Sequence, residues 1–270
     1  MNKIPHDAIA IVTGAGSGLG RAVTLELASR GATVVASDVD LATAEDTVRL
    51  VEKAGGKAEP ARADVRVAAD VEALVHGAVD RHGRLDVMVN NAGVAVAGAI
   101  GEVPLDDWRF EIDVNLFGVI HGCHFAVPVM KKQKRGFVLN VASAAGFVSA
   151  PLMGPYNVTK AGVIALTETM RTELEESNIA VTVLCPTFFR TNIHKAQRSA
   201  ERLKKKSAEL VEGAKWSAEA VARLALDGLE RGTLYVIPQT DGKIAWRAKR
   251  MLGGAFYSFA GKVARRQLSD

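Results

Sequence analysis

The segment GPYNVTKAG, residues 154 to 162, places a tyrosine four positions before a lysine. If it is helical, Tyr156 and Lys160 lie on one face with Cβ atoms about 5–6 Å apart. An ammonium group favours the ionised form of a neighbouring phenol, so we expect the pKa of Tyr156 to fall from its usual value of about 10 toward neutrality. Such a tyrosine could donate and accept protons at working pH. The alternative is a plain surface pair on a helix.

A glycine-rich segment, TGAGSGLG at residues 13 to 20, follows the first apolar run. Glycines there let the chain turn tightly, and they let backbone N–H groups and a helix N-terminus approach a pyrophosphate. The spacing Gly14-x-x-x-Gly18-x-Gly20 is not G-x-G-x-x-G, and no Lys-Ser or Lys-Thr follows as in a nucleoside triphosphate loop. The segment predicts dinucleotide binding, with a structural turn as the alternative.

An acidic residue, Asp38, ends the second apolar run, 24 residues after Gly14 (38 − 14 = 24). A carboxylate at this point can accept hydrogen bonds from the adenosine ribose hydroxyls and would repel a 2′-phosphate. We therefore predict NAD rather than NADP as the cofactor. Asp38 could also cap the following helix.

These groups must be positioned by strands and helices that alternate along the whole chain. The predicted strands are AIAIVT, TVVASD, KAEPARAD, LDVMVN, GFVLNVAS, IAVTVLCP and LYVIP. Helical periodicity predicts helices at 18–30, 40–54, 67–82, 105–131, 155–177 and 217–231. Such alternation predicts a single-domain α/β fold, doubly wound around a parallel seven-stranded sheet. Residues 187–216, a substrate loop, are expected to be an irregular insertion.

Composition narrows the class of protein. The chain has 270 residues, enough for a full enzyme, and no run approaches 18 apolar residues. The N-terminus lacks the pattern of a signal peptide, so we expect a cytoplasmic protein that does not span a membrane. Cys123 and Cys185 stand in apolar surroundings and are expected to be buried thiols, since two cysteines make neither a disulfide framework nor a zinc site.

The net charge of the chain differs before and after residue 242. Residues 243–270 hold seven Lys or Arg and one Asp, a net +6, whereas residues 1–242 carry 27 basic and 29 acidic groups, a net −2. We predict a dinucleotide-binding domain over 1–242 and a basic tail over 243–270. The tail mixes aromatic and basic residues, which can lie at a membrane surface. We favour the alternative that it folds over the substrate opening or a partner subunit, because glycines at 253, 254 and 261 interrupt any long helix.

Further motifs complete a recognisable set: NNAG at 90–93, Asn115 within IDVNLFG, Ser143 within VASAAG, and CPTFFRT at 185–191. In this order, with the tyrosine and lysine, they resemble a short-chain dehydrogenase/reductase of the single-domain type over residues 8 to 237. The resemblance implies a Rossmann fold with strand order 3-2-1-4-5-6-7. It also implies reversible hydride transfer between a nicotinamide cofactor and an alcohol or carbonyl, and a homo-oligomer, dimer or tetramer.

The resemblance assigns roles to matching positions. Tyr156 is the general acid/base, Lys160 lowers its pKa and binds the nicotinamide ribose, and Ser143 hydrogen-bonds the substrate oxygen. Asn115 holds a water in a proton relay behind Lys160. Each of these two residues also has a structural alternative. Ser143 could be a strand-end serine that satisfies backbone groups, and Asn115 could be a residue that distorts a helix. The implied cofactor contacts are Gly14, Ser17, Gly18, Leu19, Gly20, Asp38, Asp64, Val65, Asn91, Gly93, Tyr156, Lys160 and Thr191.

The sequence departs from the family pattern at two places. Thr187 follows Pro186 where a glycine is usual, which narrows the nicotinamide side of the pocket. The Asp-Gly-Gly after the last strand is replaced by PQTDGKIAWRAKRML, which puts tetramer formation through the C-terminus in doubt.

Other signals point away from metal and nucleic acid. His121, Cys123 and His124 share a helix that packs at the family's dimer interface, so we expect a structural role and no metal. The segment RSAERLKKKS at 198–207 is expected to be a solvated helix face rather than a phosphate or nucleic-acid site.

The sequence therefore predicts an NAD-dependent alcohol dehydrogenase or carbonyl reductase. No charged residue lies between Ser143 and Lys160, and Phe188 and Phe189 follow in the next segment, so the expected substrate is an uncharged, hydrophobic secondary alcohol or ketone. The alternatives are an NADPH-dependent ketoacyl reductase and a sensor that binds dinucleotide without chemistry, for which four catalytic residues would be needless.

Overall fold

The computed structural model describes residues 3–191 and 197–257. Seven parallel strands form one sheet in the order β3-β2-β1-β4-β5-β6-β7, which confirms the predicted doubly wound fold and strand order. The strands are β1 Ile9–Thr13, β2 Thr33–Asp38, β3 Lys57–Arg62, β4 Val87–Asn90, β5 Gly136–Val141, β6 Ile179–Leu184 and β7 Tyr235–Val236.

Helices cover both faces of this sheet. They are α1 Gly18–Ser29, α2 Leu41–Lys53, α3 Ala68–His82, α4 Leu105–Ile112, α5 Gly118–Gln133, α6 Ala145–Val148, α7 Gly154–Glu173, α8 Glu201–Glu212, α9 Ala218–Glu230 and α10 Thr240–Leu252. Helices α1, α2 and α9 pack on one face, and α3, α5 and α7 pack on the other.

Successive strand residues face opposite cores. In β1, Ala10 and Val12 join the core under α1 and α9, whereas Ile11 joins the core under α3 and α5. This alternation follows from the two-residue period of a strand, and it explains why the central strands are apolar at almost every position. The edge strand β3 is more exposed and contains Pro60, which is tolerated at a sheet edge.

One sequence expectation needs correction, and the predicted domain division stays a prediction. The insertion at 187–216 is not irregular throughout, because α8 occupies Glu201–Glu212. The sequence of α8, ERLKKKSAELVE, consists mainly of strong helix formers. Most of its side chains are polar, and Val211 is its buried residue. The predicted division at residue 242 falls inside α10, which begins at Thr240 and ends before Gly253.

Helices α4 and α5 are joined without a break by a π-helical turn, Asp113–Phe117. The whole stretch, Leu105–Gln133, is long and apolar enough to cross a membrane by length and composition. However, it packs along α3, α7 and strands β4 and β5. One side of this stretch therefore covers the sheet, and 33% of its apolar window is buried inside the structure.

Candidate active site

The tyrosine and lysine of the opening segment lie one turn apart on α7, as predicted. Lys160 is buried, and its Nζ donates a 2.9 Å hydrogen bond to the carbonyl oxygen of Val141, the last residue of β5. The Nζ lies 5.6 Å from the centre of the Tyr156 ring. The carboxyl end of β5 thus fixes the lysine, and α7 fixes the tyrosine beside it.

The pKa of Tyr156 moves in the direction opposite to the sequence expectation. Burial raises it to about 12, although a hydrogen bond with Ser143 lowers it and the charge of Glu111 raises it further. Burial also lowers the pKa of Lys160 to about 8. The expected fall of the tyrosine pKa is therefore wrong, because desolvation of the phenolate outweighs the lowering by Ser143.

Ser143 follows β5 and points toward the same place. Its Oγ accepts a hydrogen bond from the N–H of Ala145 at 3.1 Å and lies 3.4 Å from the carbonyl oxygen of Pro186, to which it donates. Ser143 also lowers the pKa of Tyr156, which places the two side chains close together. The serine therefore satisfies local backbone groups, as one interpretation expected, and its role toward a substrate oxygen stays a prediction.

Asn115 lies fully buried in the π-helical turn. Its Oδ1 accepts from the N–H of Val94 at 2.8 Å, and its Nδ2 donates to the carbonyl oxygen of Val94 at 2.9 Å. The reciprocal pair fixes the chain after Gly93, where an added Cβ would lie 3.3 Å from Asn115 Oδ1 and 3.5 Å from Lys160 Nζ. Asn115 is thus placed beside the lysine and also stabilises a distorted helix.

The glycine loop forms the neighbouring cradle at the carboxyl end of β1. Gly18 has φ +52° at the first position of α1, a conformation that favours glycine. A Cβ on Gly20 would lie 2.0 Å from the carbonyl oxygen of Gly14, so α1 can approach the loop only without a side chain there. Ser17 precedes α1, and Leu19 is a buried residue of the helix's first turn. Asn91 Nδ2 donates to the carbonyl oxygens of Thr13 and Gly14.

Asp38 faces this loop from the end of β2. Its Oδ2 accepts a hydrogen bond from the N–H of Gly16 at 2.9 Å, and its Oδ1 accepts from the N–H of Asp40 at 3.1 Å. The residue that caps α2 is Asp40, whose side chain accepts from the N–H of Ala42. The alternative that Asp38 is the helix cap is therefore wrong.

The other predicted cofactor contacts surround the same cradle. Asp64 is paired with Arg66, whose guanidinium keeps the pKa of Asp64 below its usual value. Val65 is buried, and its carbonyl oxygen lies 2.9 Å from Nδ1 of His121. Thr191 lines a cavity of about 470 Å³ together with Gly18.

Three features of the site escaped the sequence analysis. Glu111 is completely buried beside Asn115, and its place four residues earlier on the same helix face was the available signal. Arg21 donates to the carbonyl oxygen of Gly16 and to Thr47. Ile100 and Trp108 approach Gly154, at the start of α7, from the chain that follows β4.

The histidine and cysteine cluster has structural contacts. His121 stacks at 6.0 Å on Phe117, and His124 stacks edge-on against Phe125 at 4.9 Å. Cys123 and Cys185 are free and buried, as predicted. Within residues 3–191 and 197–257, no group of three or more His, Cys, Asp or Glu side chains is arranged to hold a metal ion.

Comparison with known proteins gives the class. Residues 8–202 match the family described as short chain dehydrogenase. This chain belongs to that family, whose members are oxidoreductases with a Rossmann nucleotide-binding fold.

Individual relatives differ in what they act on. The chain is 37% identical over 183 residues to a 3-oxoacyl-(acyl-carrier-protein) reductase of Thermotoga maritima, covering 68% of this chain and 74% of that one. It is 33% identical over 200 residues to a cyclohexanol dehydrogenase of an Acinetobacter species, covering 74% and 80%. A short-chain dehydrogenase/reductase from Burkholderia phymatum, solved in complex with NAD, superposes with a TM-score of 0.88 at 31% identity, covering 93% and 95%.

Proposed function

We propose that this chain is an NAD(H)-dependent dehydrogenase or reductase that interconverts an uncharged, largely apolar secondary alcohol and its ketone. The observation that carries the proposal is the convergence of Ser143, Tyr156 and Lys160 at the carboxyl end of β5, with Asn115 behind the lysine and the glycine loop alongside. A protein that only sensed a dinucleotide would not need this set.

The cradle fits a nicotinamide dinucleotide. The close approach of Gly20 to Gly14 leaves the N-terminus of α1 open to a pyrophosphate, and we assign the ribose hydroxyls to the carboxylate of Asp38, which faces the same loop. When bound, the cofactor would supply the acceptor or donor of the hydride that is exchanged with the substrate carbon. Lys160 would hold the nicotinamide ribose, and Thr191 the amide.

Side chains of this protein carry out the proton transfer. Tyr156 gives its proton to the carbonyl oxygen in reduction and takes it from the hydroxyl in oxidation. Ser143 donates a hydrogen bond to the same oxygen and so stabilises the charge that develops there. With its pKa raised to about 12, Tyr156 holds its proton at neutral pH, which is the state that carbonyl reduction requires.

The surroundings of the tyrosine favour an apolar substrate. Ile100 is 76% exposed and reaches toward Gly154, and Trp108 lies on the same side. Leu152 and Met153 lie close to the same apolar side chains. The N–H of Gly98 donates to the carbonyl oxygen of Leu152, and Gly98 forms a parallel β-bridge with Met153. Phe188 remains 51% exposed in the segment that leads from β6.

One experiment tests the proposal directly. Secondary alcohols and ketones, cyclic and open-chain, are screened with NAD(H) and NADP(H) while nicotinamide absorbance is followed. Turnover of hydrophobic members with NAD(H) is the expected result. A preference for small charged hydroxy acids would refute the proposed substrate class, and absence of any turnover would refute the enzyme.

The second candidate is an NADPH-dependent ketoacyl reductase, which the 37% identity to the Thermotoga maritima reductase favours. It would need a cation for the 2′-phosphate. Arg66 is engaged with Asp64, and Arg21 is held by Gly16 and Thr47, so neither is free of other bonds. Dissociation constants for the two cofactors decide between the candidates.

We further infer a cytoplasmic homo-oligomer. The paired rings of Phe117 and His121 lie at the end of the π-helical turn and the start of α5, and Phe117 is 46% exposed. An apolar, aromatic helix face of this kind is suited to a second copy of the chain. Sedimentation equilibrium tests the assembly.

A further inference from the structure

Glu111 is a buried carboxylate in direct contact with the proposed catalytic machinery. Its Oε1 accepts hydrogen bonds from the N–H of Val96 and from Nδ2 of Asn115, both at 3.2 Å. Its Oε2 is also buried and has no hydrogen-bond partner among the residues that the structure describes. A carboxyl group is therefore kept inside the protein with half of its polar surface unsatisfied.

A structural role alone does not explain a carboxyl group here. Both hydrogen bonds that Glu111 accepts could be accepted equally well by the amide oxygen of a glutamine. Burying an ionisable group costs free energy unless it is paired, and a lone unsatisfied oxygen adds to that cost. What glutamate offers beyond glutamine is a charge that can change.

That charge acts on the catalytic pair. The negative charge of Glu111 raises the pKa of both Lys160 and Tyr156, although burial keeps the pKa of the lysine below its usual value. Lys160 in turn lowers the pKa of Glu111, which burial raises to about 8. The carboxyl group thus changes its charge in the range in which the site would work.

Few other charges reach this group. Asp107, one turn earlier on α4, raises the pKa of Glu111. However, Asp107 forms a salt bridge with Arg198, whose Nη1 lies 2.9 Å from Asp107 Oδ1. On the side of α7, the hydroxyl of Thr159 lies 3.4 Å from Nδ2 of Asn115 and is neutral. Lys160 is therefore the principal partner of Glu111.

We propose that Glu111 is a positioning residue of the active site, which holds Asn115 in place and sets the proton affinity of Lys160 and Tyr156 through its own charge. The inference rests on the proposed function. It adds a carboxyl group to the residues that set the pH range of the reaction.

The test is Glu111→Gln, which keeps both accepted hydrogen bonds and removes the charge. Removing a negative charge lowers the pKa of every group near it. The limbs of the pH profile of kcat/KM that report Lys160 or Tyr156 should therefore move to lower pH, by on the order of one unit. The matched control is Asp106→Asn, which removes an exposed charge from the same helix and should leave the profile unchanged.

A structural role would give a different result. Glu111→Gln with a wild-type pH profile, or with lower activity at every pH and no shift of the limbs, would overturn the proposal. A second measurement needs no substrate. Because the folded-state pKa of Glu111 is raised, the wild type should lose stability relative to Glu111→Gln as pH rises from roughly 5 to 8.

The two measurements separate the possible failures. Equal pH dependence of unfolding in both proteins would show that Glu111 does not titrate, and would overturn the inference even if the enzyme is active. A wild type without any turnover refutes the proposed function and the catalytic part of the inference together, whereas the unfolding comparison still reports the buried charge.

Discussion

The ammonium group of Lys160 lies 5.6 Å from the centre of the Tyr156 ring and is bound to the carbonyl oxygen of Val141, the residue that ends β5. The lysine is thus anchored to the sheet rather than to the tyrosine hydroxyl. Burial raises the pKa of Tyr156 to about 12, so the phenol is protonated at neutral pH, and this arrangement determines what each substitution in the pair should do.

Tyr156→Phe removes the proposed proton donor and little packing. We expect turnover to fall by at least about 10²-fold, because general acid–base catalysis contributes that much or more. Cofactor dissociation constants should change little. The control is Tyr235→Phe, whose hydroxyl bonds to Glu168 away from the site. Substantial activity in Tyr156→Phe would contradict the mechanism.

Lys160→Ala should lower both turnover and cofactor affinity, since the lysine is assigned to the tyrosine and to the nicotinamide ribose. Steady-state kinetics and cofactor titration measure the two effects. Lys160→Met is the matched variant, because it keeps most of the buried stem and removes the charge. If it binds cofactor as tightly as the wild type, the ribose contact is wrong.

Alcohol oxidation should become faster as pH rises. Oxidation needs the phenolate of Tyr156, and burial raises the pKa of this group to about 12, so the phenolate fraction grows with each unit of pH below that value. Carbonyl reduction uses the phenol and should proceed at neutral pH. Initial rates in both directions between roughly pH 7 and 10 test this. An oxidation rate that falls over this range would contradict it.

Asp38→Asn should weaken the preference for NAD(H) over NADP(H), on the order of tenfold in the ratio of dissociation constants, or about 1.4 kcal/mol. The reason is the loss of a carboxylate that accepts from ribose hydroxyls and repels a 2′-phosphate. Asp40→Asn provides the control, since Asp40 caps α2 and is not assigned to the cofactor. Tighter binding of NADP(H) by the wild type would favour the ketoacyl reductase.

Truncation after Gln239 should impair substrate binding or assembly. Helix α10, which carries the start of the tail, is held beside the site: Thr187 Oγ1 donates to Asp241 Oδ1 at 3.2 Å, and the helix packs against α6, which follows Ser143. These contacts support a tail that folds back beside the site. Kinetics, oligomer size and sedimentation with anionic vesicles are measured on each protein.

A second truncation that removes only residues 258–270 serves as the control for that experiment, since it keeps α10. Exposed Ile244 and Met251, with Lys243 and Arg247 nearby, are the features that a membrane contact would use. If truncation after Gln239 abolishes vesicle binding while activity and assembly remain intact, the membrane alternative replaces the fold-back proposal.

The sequence by itself determined the fold and the identity of the catalytic candidates. Continuous apolar runs such as AIAIVT can be buried on both faces only in a parallel sheet between two helical layers, so the architecture followed from local pattern. The tyrosine–lysine pair followed from its spacing, whereas the roles of Ser143 and Asn115 and the strand order followed from the resemblance of the ordered motifs to a known family.

Tertiary structure decided the environment of these groups, which no local pattern contains. Glu111 looks like an ordinary helix charge in WRFEIDVN, yet the packing of α4 encloses it beside Asn115. The pKa of Tyr156 rises because desolvation depends on everything packed around the hydroxyl, whereas the lysine was the one neighbour visible in the sequence. Whether Asp38 or Asp40 caps α2 likewise depended on where the chain turns after β2. Burial and long-range contacts, rather than residue type, set the electrostatics of this site.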